Sequence, residues 1–333
     1  MIRKINVGVI GLGVGNKHLI SLRKNKSINK IKIYDFNQKK LNYIAKKYQI
    51  KASKSENEII NDKSINLVCI ASYDNYHFKQ ILKSIKSNKH IFVEKPAVDN
   101  LADAKKIIKL LKKNKDIYFT TNYILRKSPR FIKLNKMMKM NKLGKIFYIE
   151  ADYNYGRIKK ITHGWRGKIP FYSITNGGGI HIIDLVSFLT NKKIVELKSY
   201  ANKIATKKSN FKYPDCVVTI AKLKDNIIAK FTSNFGCVYP HFHKLNIYGT
   251  KKTFENHLTE GRLFIKRDDK IFTKLDSKYK TSKSLVLDEF INSIIRGKNR
   301  EKFIKDTFDA LSVCFAIDKS YKINKSVKIN YLI

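Results

Sequence analysis

Gly11, Gly13 and Gly15 alternate in "VGVIGLGVGNKHL" (7–19) directly after an apolar, β-branched run, and glycines so placed suit one kind of chemistry, the holding of an anion. A parallel strand that enters a glycine turn and then a helix aims free N–H groups and the positive end of the helix dipole at whatever lies above, which suits a pyrophosphate. Gly11 permits the turn and Gly13 lets the backbone approach the phosphates. The G-x-G-x-x-G pattern wants its third small residue at position 16, whereas this chain supplies Gly15 and then Asn16. Asp35 ends a second apolar run, "KIKIYD", where a carboxylate accepts hydrogen bonds from the hydroxyls of an adenosine ribose. Strand, turn, helix, strand and acid together predict dinucleotide binding. The charge of Asp35 repels a 2′-phosphate and favours NAD over NADP, and Lys39 and Lys40 stand close enough in sequence to bear on that choice.

Other residues suit proton transfer and substrate binding. Lys95 follows the apolar run of "HIFVEKP" and precedes Pro96, at the carboxyl end of a strand, where parallel sheets place ligands. His181 follows Gly177–Gly179, a glycine run that would let backbone or substrate approach closely. Trp165 and Arg166 in "HGWRGKIP", with Arg126 and Arg157, are candidates for stacking on a sugar and binding an anionic group; ordinary surface arginines would read the same way. His241 and His243 share a strand face by period two. With Cys237 they give a C-x3-H-x-H spacing that fits no common zinc site, so no metal is expected and a substrate-facing or interface pair is the reading.

These residues need a scaffold. From "INVGVI" to "IYFTTNY" apolar runs alternate with amphipathic stretches, including helices expected from about Lys17 to Lys24, Phe78 to Ser87 and Leu101 to Lys113. Strand–helix alternation implies a parallel sheet with right-handed crossovers. After Tyr123 the rhythm changes: one helix, about Pro129 to Met140, precedes several strand-like runs split by turn residues. The expected architecture is α/β, with a Rossmann domain over 1–121 and an α+β domain over 122–333 carrying a large, mostly antiparallel sheet. Two amphipathic helices within about 285–322 are expected to pack back towards the first domain.

The chain has 333 residues, 43% of them apolar, enough for a full core and for two domains. Its net charge of +43 comes mainly from Lys placed between apolar positions, as in "AKKIIKLLKKNKD", and reads as a compositional bias on solvated faces; no specific nucleic-acid partner is expected. The positive field would still concentrate anionic ligands such as dinucleotides and sugar nucleotides. Cys69, Cys216, Cys237 and Cys314 show no paired spacing, which points to reduced thiols in the cytoplasm. Glycines interrupt the apolar run after "MIRK" and no cleavage site follows, so no signal peptide is expected; no apolar stretch approaches a membrane span.

At "IASYDNYH" (70–77) and "HIFVEKPAVDNLADAKKI" (90–107) the chain resembles the Gfo/Idh/MocA family, the glucose-fructose oxidoreductase and inositol dehydrogenase group. The similarity runs on through "TNYILRKSPRF", "NKLGKIFYIEADYNYG", "GGGIHIIDLVSFL" and "DEFINSIIRG", and some members carry the compressed loop ending in His seen in "GLGVGNKH". The resemblance implies an NAD(P)-dependent oxidoreductase acting on a secondary hydroxyl of a sugar, cyclitol or sugar nucleotide, and a homo-oligomer formed through the open sheet. A closed redox cycle on a tightly bound cofactor (epimerase, dehydratase or glycosidase) and a non-catalytic dinucleotide-binding protein are the alternatives. It implies a cofactor set of Gly11, Gly13, Val14, Gly15, Asp35, Ala71, Ser72, Tyr73, His77, Glu94 and Lys95. It implies Lys95 and His181 as the catalytic pair; the candidates for substrate are Arg126, Arg157, Trp165, Arg166, Asp184 and His241. Sugar and inositol dehydrogenases of the family also place an Asp four residues before that His, where this chain has Gly177.

Overall fold

The structure is a computed structural model in which residues 4–267, 271–275, 277–279, 282 and 284–333 are described. The chain forms two units: Met1–Asn122 with Ser282–Phe308 and Ile333, and Tyr123–Thr281 with Asp309–Leu332.

In the first unit the elements run β1 (Ile5–Ile10), α1 (Gly15–Leu22), β2 (Ile28–Tyr34), α2 (Gln38–Tyr48), α3 (Glu56–Ile60), β3 (Leu67–Ile70), α4 (Asp74–Lys86), β4 (His90–Val93), α5 (Leu101–Lys113) and β5 (Phe119–Thr121). Polar side chains set several helix starts: Asn37, Ser55 and Asn100 each accept a first-turn N–H, before α2, α3 and α5. The five strands are parallel in the order β2-β1-β3-β4-β5. Outside β2 a single bridge joins Ile33 to Ala52, with Ser53 N–H donating to the Ile33 carbonyl at 2.9 Å. Counting that bridge, the order matches the doubly wound dinucleotide-binding sheet with its third strand reduced to one pair. The chain leaves β1 towards one edge and returns through β3 on the other side, which opens a crevice at the carboxyl ends of these two strands.

Helix α1 starts at Gly15, two residues before the sequence expectation, and α4 at Asp74, four before it. Near the carboxyl end, α9 (Leu285–Arg296) belongs to this unit, where Val286, Leu287, Phe290, Ile291 and Ile294 join the core of Ile5, Val7, Val9, Leu19 and Leu22. Full burial of such side chains contributes about 1.5–3 kcal/mol each. Asp288 on α9 also accepts from Ser21 and Asn25, so this helix braces the helix that follows the glycine turn.

The second unit contains α6 (Pro129–Lys139), β6 (Ile146–Asn154), α7 (Lys159–Thr162), α8 (Ile180–Thr190), β7 (Ile194–Asn202), β8 (Cys216–Leu223), β9 (Ile228–Asn234), β10 (Phe242–Gly249), β11 (Thr253–Asn256), β12 (Gly261–Phe264) and β13 (Thr273–Leu275). The helix α10 (Arg300–Ile323) starts in the first unit and runs on into the second, which ends with β14 (Val327–Lys328). Nine strands form one sheet, β13-β12-β11-β10-β6-β9-β8-β7-β14, antiparallel except for the β6–β9 pair. Along β6, Ile149, Ala151 and Tyr153 are buried while their neighbours are partly exposed, the alternation of a sheet covered on one face. α8 lies against β6 and α6 on that covered face. Among the described residues no helix is long and apolar enough to cross a membrane.

Candidate functional site

The glycine turn lies at the crevice. Gly11 has φ +88°, a conformation side chains rarely adopt, and a Cβ there would come within 2.5 Å of the Ala71 carbonyl oxygen. Gly15 packs inward, its Cβ direction 3.1 Å from both Ala71 Cβ and Val9 Cγ1. Gly15 therefore does the close helix-to-strand packing of the pattern's third glycine one position early, because α1 begins at that residue. Gly13 differs: nothing lies within 4 Å of the place its Cβ would take. The backbone at Val14, between them, caps α1. Asp35 is buried, its Oδ2 accepting the Leu12 N–H at 2.7 Å and its Oδ1 the Asn37 N–H at 2.9 Å, with Lys40 Nζ 3.5 Å from Oδ2. The acid thus holds the turn in shape from behind.

Across the crevice, Ala71, Ser72 and Tyr73 connect β3 to α4, and the Ser72 hydroxyl donates to Gln80 at 2.7 Å. The exposed Phe36 ring meets Tyr73 edge-on at 5.5 Å. His77, expected among the cofactor contacts, is fully buried; its Nδ1 bonds the Pro96 carbonyl at 2.8 Å and its Nε2 lies 3.3 Å from the Ser72 carbonyl. Its ring ties two loops together and supports the crevice from beneath.

Glu94 follows β4, and its Oε1 accepts from His18 Nε2 at 2.7 Å and from Asn122 Nδ2 at 2.8 Å. Burial pushes the carboxyl up, but His18, Asn122 and the neighbouring Lys95 ammonium outweigh it and hold it at about 2. His18 sits on α1, so Glu94 links the helix after the glycine turn to the loop that carries the half-buried Lys95.

In the second unit, Thr175–Gly179 makes a wide π-type turn that runs straight into α8, which carries His181. The close approach that the glycine run permits is made by the protein's own side chains. A Cβ at Gly177 would strike the Tyr172 hydroxyl, with Tyr172 Cζ at 2.5 Å; at Gly178 it would strike Tyr153 Cε1, also at 2.5 Å; at Gly179 it would strike Ser233 Oγ. The glycines admit the protein's own aromatic rings. His181 is 6.2 Å from Tyr153 and 5.8 Å from His243, centroid to centroid, and His241 Nε2 meets the Tyr153 hydroxyl at 3.1 Å. His243 is held by the Tyr279 hydroxyl through Nδ1. Among the described residues no cluster of His, Cys, Asp and Glu suits a metal.

Two residues expected to bind substrate separately instead meet each other. Arg126 grips Asp184 through Nε at 2.8 Å and Nη2 at 2.5 Å, and the carboxylate is buried. A bidentate pair of this kind fixes α8 and neutralises the acid beside His181. Arg166 lies over the Trp165 ring at 4.5 Å and donates through Nε to the Tyr172 hydroxyl at 3.0 Å; Arg157 lies 5.9 Å over the Tyr155 ring.

Asn122, Tyr153 and Tyr172 were not singled out in the sequence, where His18 stood out only as the end of the compressed glycine loop. His18 carries a signal: three residues beyond Gly15 on a helix it shares that residue's inward face. Tyr172 carries none, since only folding brings it to Gly177.

The family model described as "Oxidoreductase family, NAD-binding Rossmann fold" matches residues 5–122, and the GFO/IDH/MocA C-terminal domain matches 131–255. A myo-inositol 2-dehydrogenase of Thermotoga maritima is 24% identical over 99% of this chain and 100% of its own. A glucose-6-phosphate 3-dehydrogenase of Bacillus subtilis is 25% identical over 75% of this chain and 74% of its own. Among solved structures, a levoglucosan dehydrogenase in complex with NADH and L-sorbose superposes with TM-score 0.87 at 16% identity, covering 99% of this chain and 100% of that one. A scyllo-inositol dehydrogenase from Lactobacillus casei with bound NAD(H) and scyllo-inositol gives 0.80 at 16%, covering 98% and 99%. At these identities the two structures establish a shared fold.

Proposed function

The chain belongs to the Gfo/Idh/MocA oxidoreductase family, and from that premise we propose that it oxidises a secondary hydroxyl of a sugar or cyclitol, or reduces the matching ketone, with NAD as the cofactor. The observation that carries this reading is the contrast within the turn: Gly11 and Gly15 are pressed against Ala71, while the space over Gly13 is open at the mouth of the crevice. A turn whose backbone N–H groups take a pyrophosphate needs such an opening. Asp35 takes the ribose hydroxyls on the lone pairs its two backbone bonds leave, and its charge selects NAD. NAD supplies the hydride acceptor. The Lys95 ammonium polarises the reacting oxygen and stabilises developing alkoxide charge, while His181 exchanges the hydroxyl proton. Glu94 keeps a negative charge beside Lys95.

The dehydrogenase names of the relatives support a CH–OH substrate. On the uncovered face of the nine-stranded sheet, Tyr148, Ile228, Ile220 and Tyr200 lie on one side by register and favour a homo-oligomer formed there. The test is NADH production at 340 nm across sugars and cyclitols with wild type and Lys95→Ala. Loss of turnover in Lys95→Ala, with NADH binding retained, supports the assignment. Undiminished turnover removes Lys95 from the mechanism.

A further inference from the structure

Two buried histidines of the first unit hold the residues on either side of Lys95. His18 is the fourth residue of α1 and His77 the fourth of α4, and both are fully buried. A side chain one turn into a helix leans back towards the helix start, so each ring returns towards the loop that opens its helix. Those loops are the glycine turn and Ala71–Tyr73, the two segments that flank the crevice. His18 Nε2 lies 2.7 Å from Glu94 Oε1, and His77 Nδ1 lies 2.8 Å from the Pro96 carbonyl oxygen. The residue between the two anchors is Lys95.

The partners decide which nitrogen carries the hydrogen. Glu94, held at about 2, is ionised near neutral pH, and an ionised carboxylate only accepts, so His18 donates from Nε2. Both atoms facing His77 are carbonyl oxygens, which also only accept, and a neutral ring has one N–H to give. The 2.8 Å contact to Pro96 takes that hydrogen and leaves the Ser72 carbonyl, at 3.3 Å, as the looser neighbour. The two rings therefore donate from opposite nitrogens. Beyond Pro96, Ala97 and Val98 are buried, so the loop cannot shift on that side without disturbing close packing.

We propose that His18 and His77 are positioning residues for Lys95: His18 acts through Glu94 and His77 through Pro96, and together they fix the intervening backbone so that the ammonium meets the reacting oxygen. The inference rests on the oxidoreductase reading of Lys95 and adds to it the groups that set where that side chain stands.

The test replaces each ring by both amides in the full chain. A Gln Nε2 stands in for a histidine Nε2 and an Asn Nδ2 for a histidine Nδ1, so His18→Gln and His77→Asn keep the tie. His18→Asn and His77→Gln break it at similar size and polarity. In one readout acetic anhydride labels the lysines with and without saturating NADH, and peptide mass spectrometry measures how strongly NADH protects Lys95. In the other, kcat and KM are measured on a polyol that the wild type oxidises. NADH should protect Lys95 in the wild type. Within each pair the tie-keeping amide should exceed the tie-breaking one by about tenfold or more in protection and in kcat, the scale of a small misplacement at a reacting group. The calorimetric Kd for NADH should stay within about threefold across all four variants. A merely structural histidine would penalise both amides alike. Equal protection and kcat within each pair therefore overturns the inference and leaves the oxidoreductase reading standing. Loss of NADH binding in the tie-breaking members also overturns it, by assigning the histidines to folding or to the cofactor seat. Failure of NADH to bind the wild type, or to protect its Lys95, overturns both.

Discussion

The chain uses consecutive or alternating glycines twice, and the two segments put the missing side chains to opposite uses. At Gly11–Gly15 the outer glycines are pressed on β3 while the space above the middle one is open. At Gly177–Gly179 every missing Cβ is replaced by the protein's own atoms, those of Tyr172, Tyr153 with Phe235, and Ser233. The first segment leaves open space above its middle glycine; the second brings an aromatic cluster tight against the helix that carries His181. Glycine by itself therefore signals close approach without saying of what.

The largest effect expected from breaking this contrast is at Gly11. Gly11→Ala forces an alanine to φ +88° against the Ala71 carbonyl, and the backbone conformation alone costs about 1–3 kcal/mol before the clash is counted. Thermal melting should fall by many degrees and dinucleotide binding should vanish with it.

Next in size is the brace behind the turn. Glu94 is held at about 2 in the folded chain against an ordinary 4.5, burial opposing and His18 favouring the charged form. A depressed carboxyl stabilises fully above its unfolded value and loses that contribution as pH falls from about 4.5 towards 2, on the order of 3 kcal/mol. Glu94→Gln should lower the melting temperature at neutral pH and flatten its fall across that acid window. An unchanged acid limb would show that the pair with His18 is energetically idle.

At the second glycine segment the cost is overpacking without backbone strain. Gly178→Ala drives a methyl into Tyr153 and Phe235 and should destabilise by about 1–3 kcal/mol, read by chemical denaturation, while NADH binding is unchanged. Parallel loss of NADH binding would contradict the separate roles of the two segments. Smallest is Asp35→Ser, which releases Lys40 from its carboxylate and should shift preference towards NADPH by about tenfold in fluorescence titration.

Much of the first unit was legible in the sequence because buried parallel strands read as apolar runs and their crossover helices as amphipathic stretches. The reduced third strand was not: around Ala52 the segment "KASKSE" offers no alternation, since one bridge to Ile33 is all that forms. Strands β11 to β13 were missed for a related reason, being three or four residues long and dependent on β10 for their register. In the site, Gly11, Gly13 and Asp35 stood out because local spacing defines them. The pairing of Arg126 with Asp184, the clamp at His77 and the phenol filling the room at Gly177 join residues distant in the chain or separated by an irregular loop, and spacing does not encode such contacts.

The claim beneath all of these is that the open space over Gly13 is a dinucleotide seat, and titration of wild type and Gly13→Val with NADH tests it most directly. Saturable one-to-one binding by wild type, weakened about tenfold or more by the valine at an unchanged melting temperature, is the expected result. Folded wild type with no affinity for NADH or NADPH, or a valine variant that binds as tightly as wild type, would contradict it.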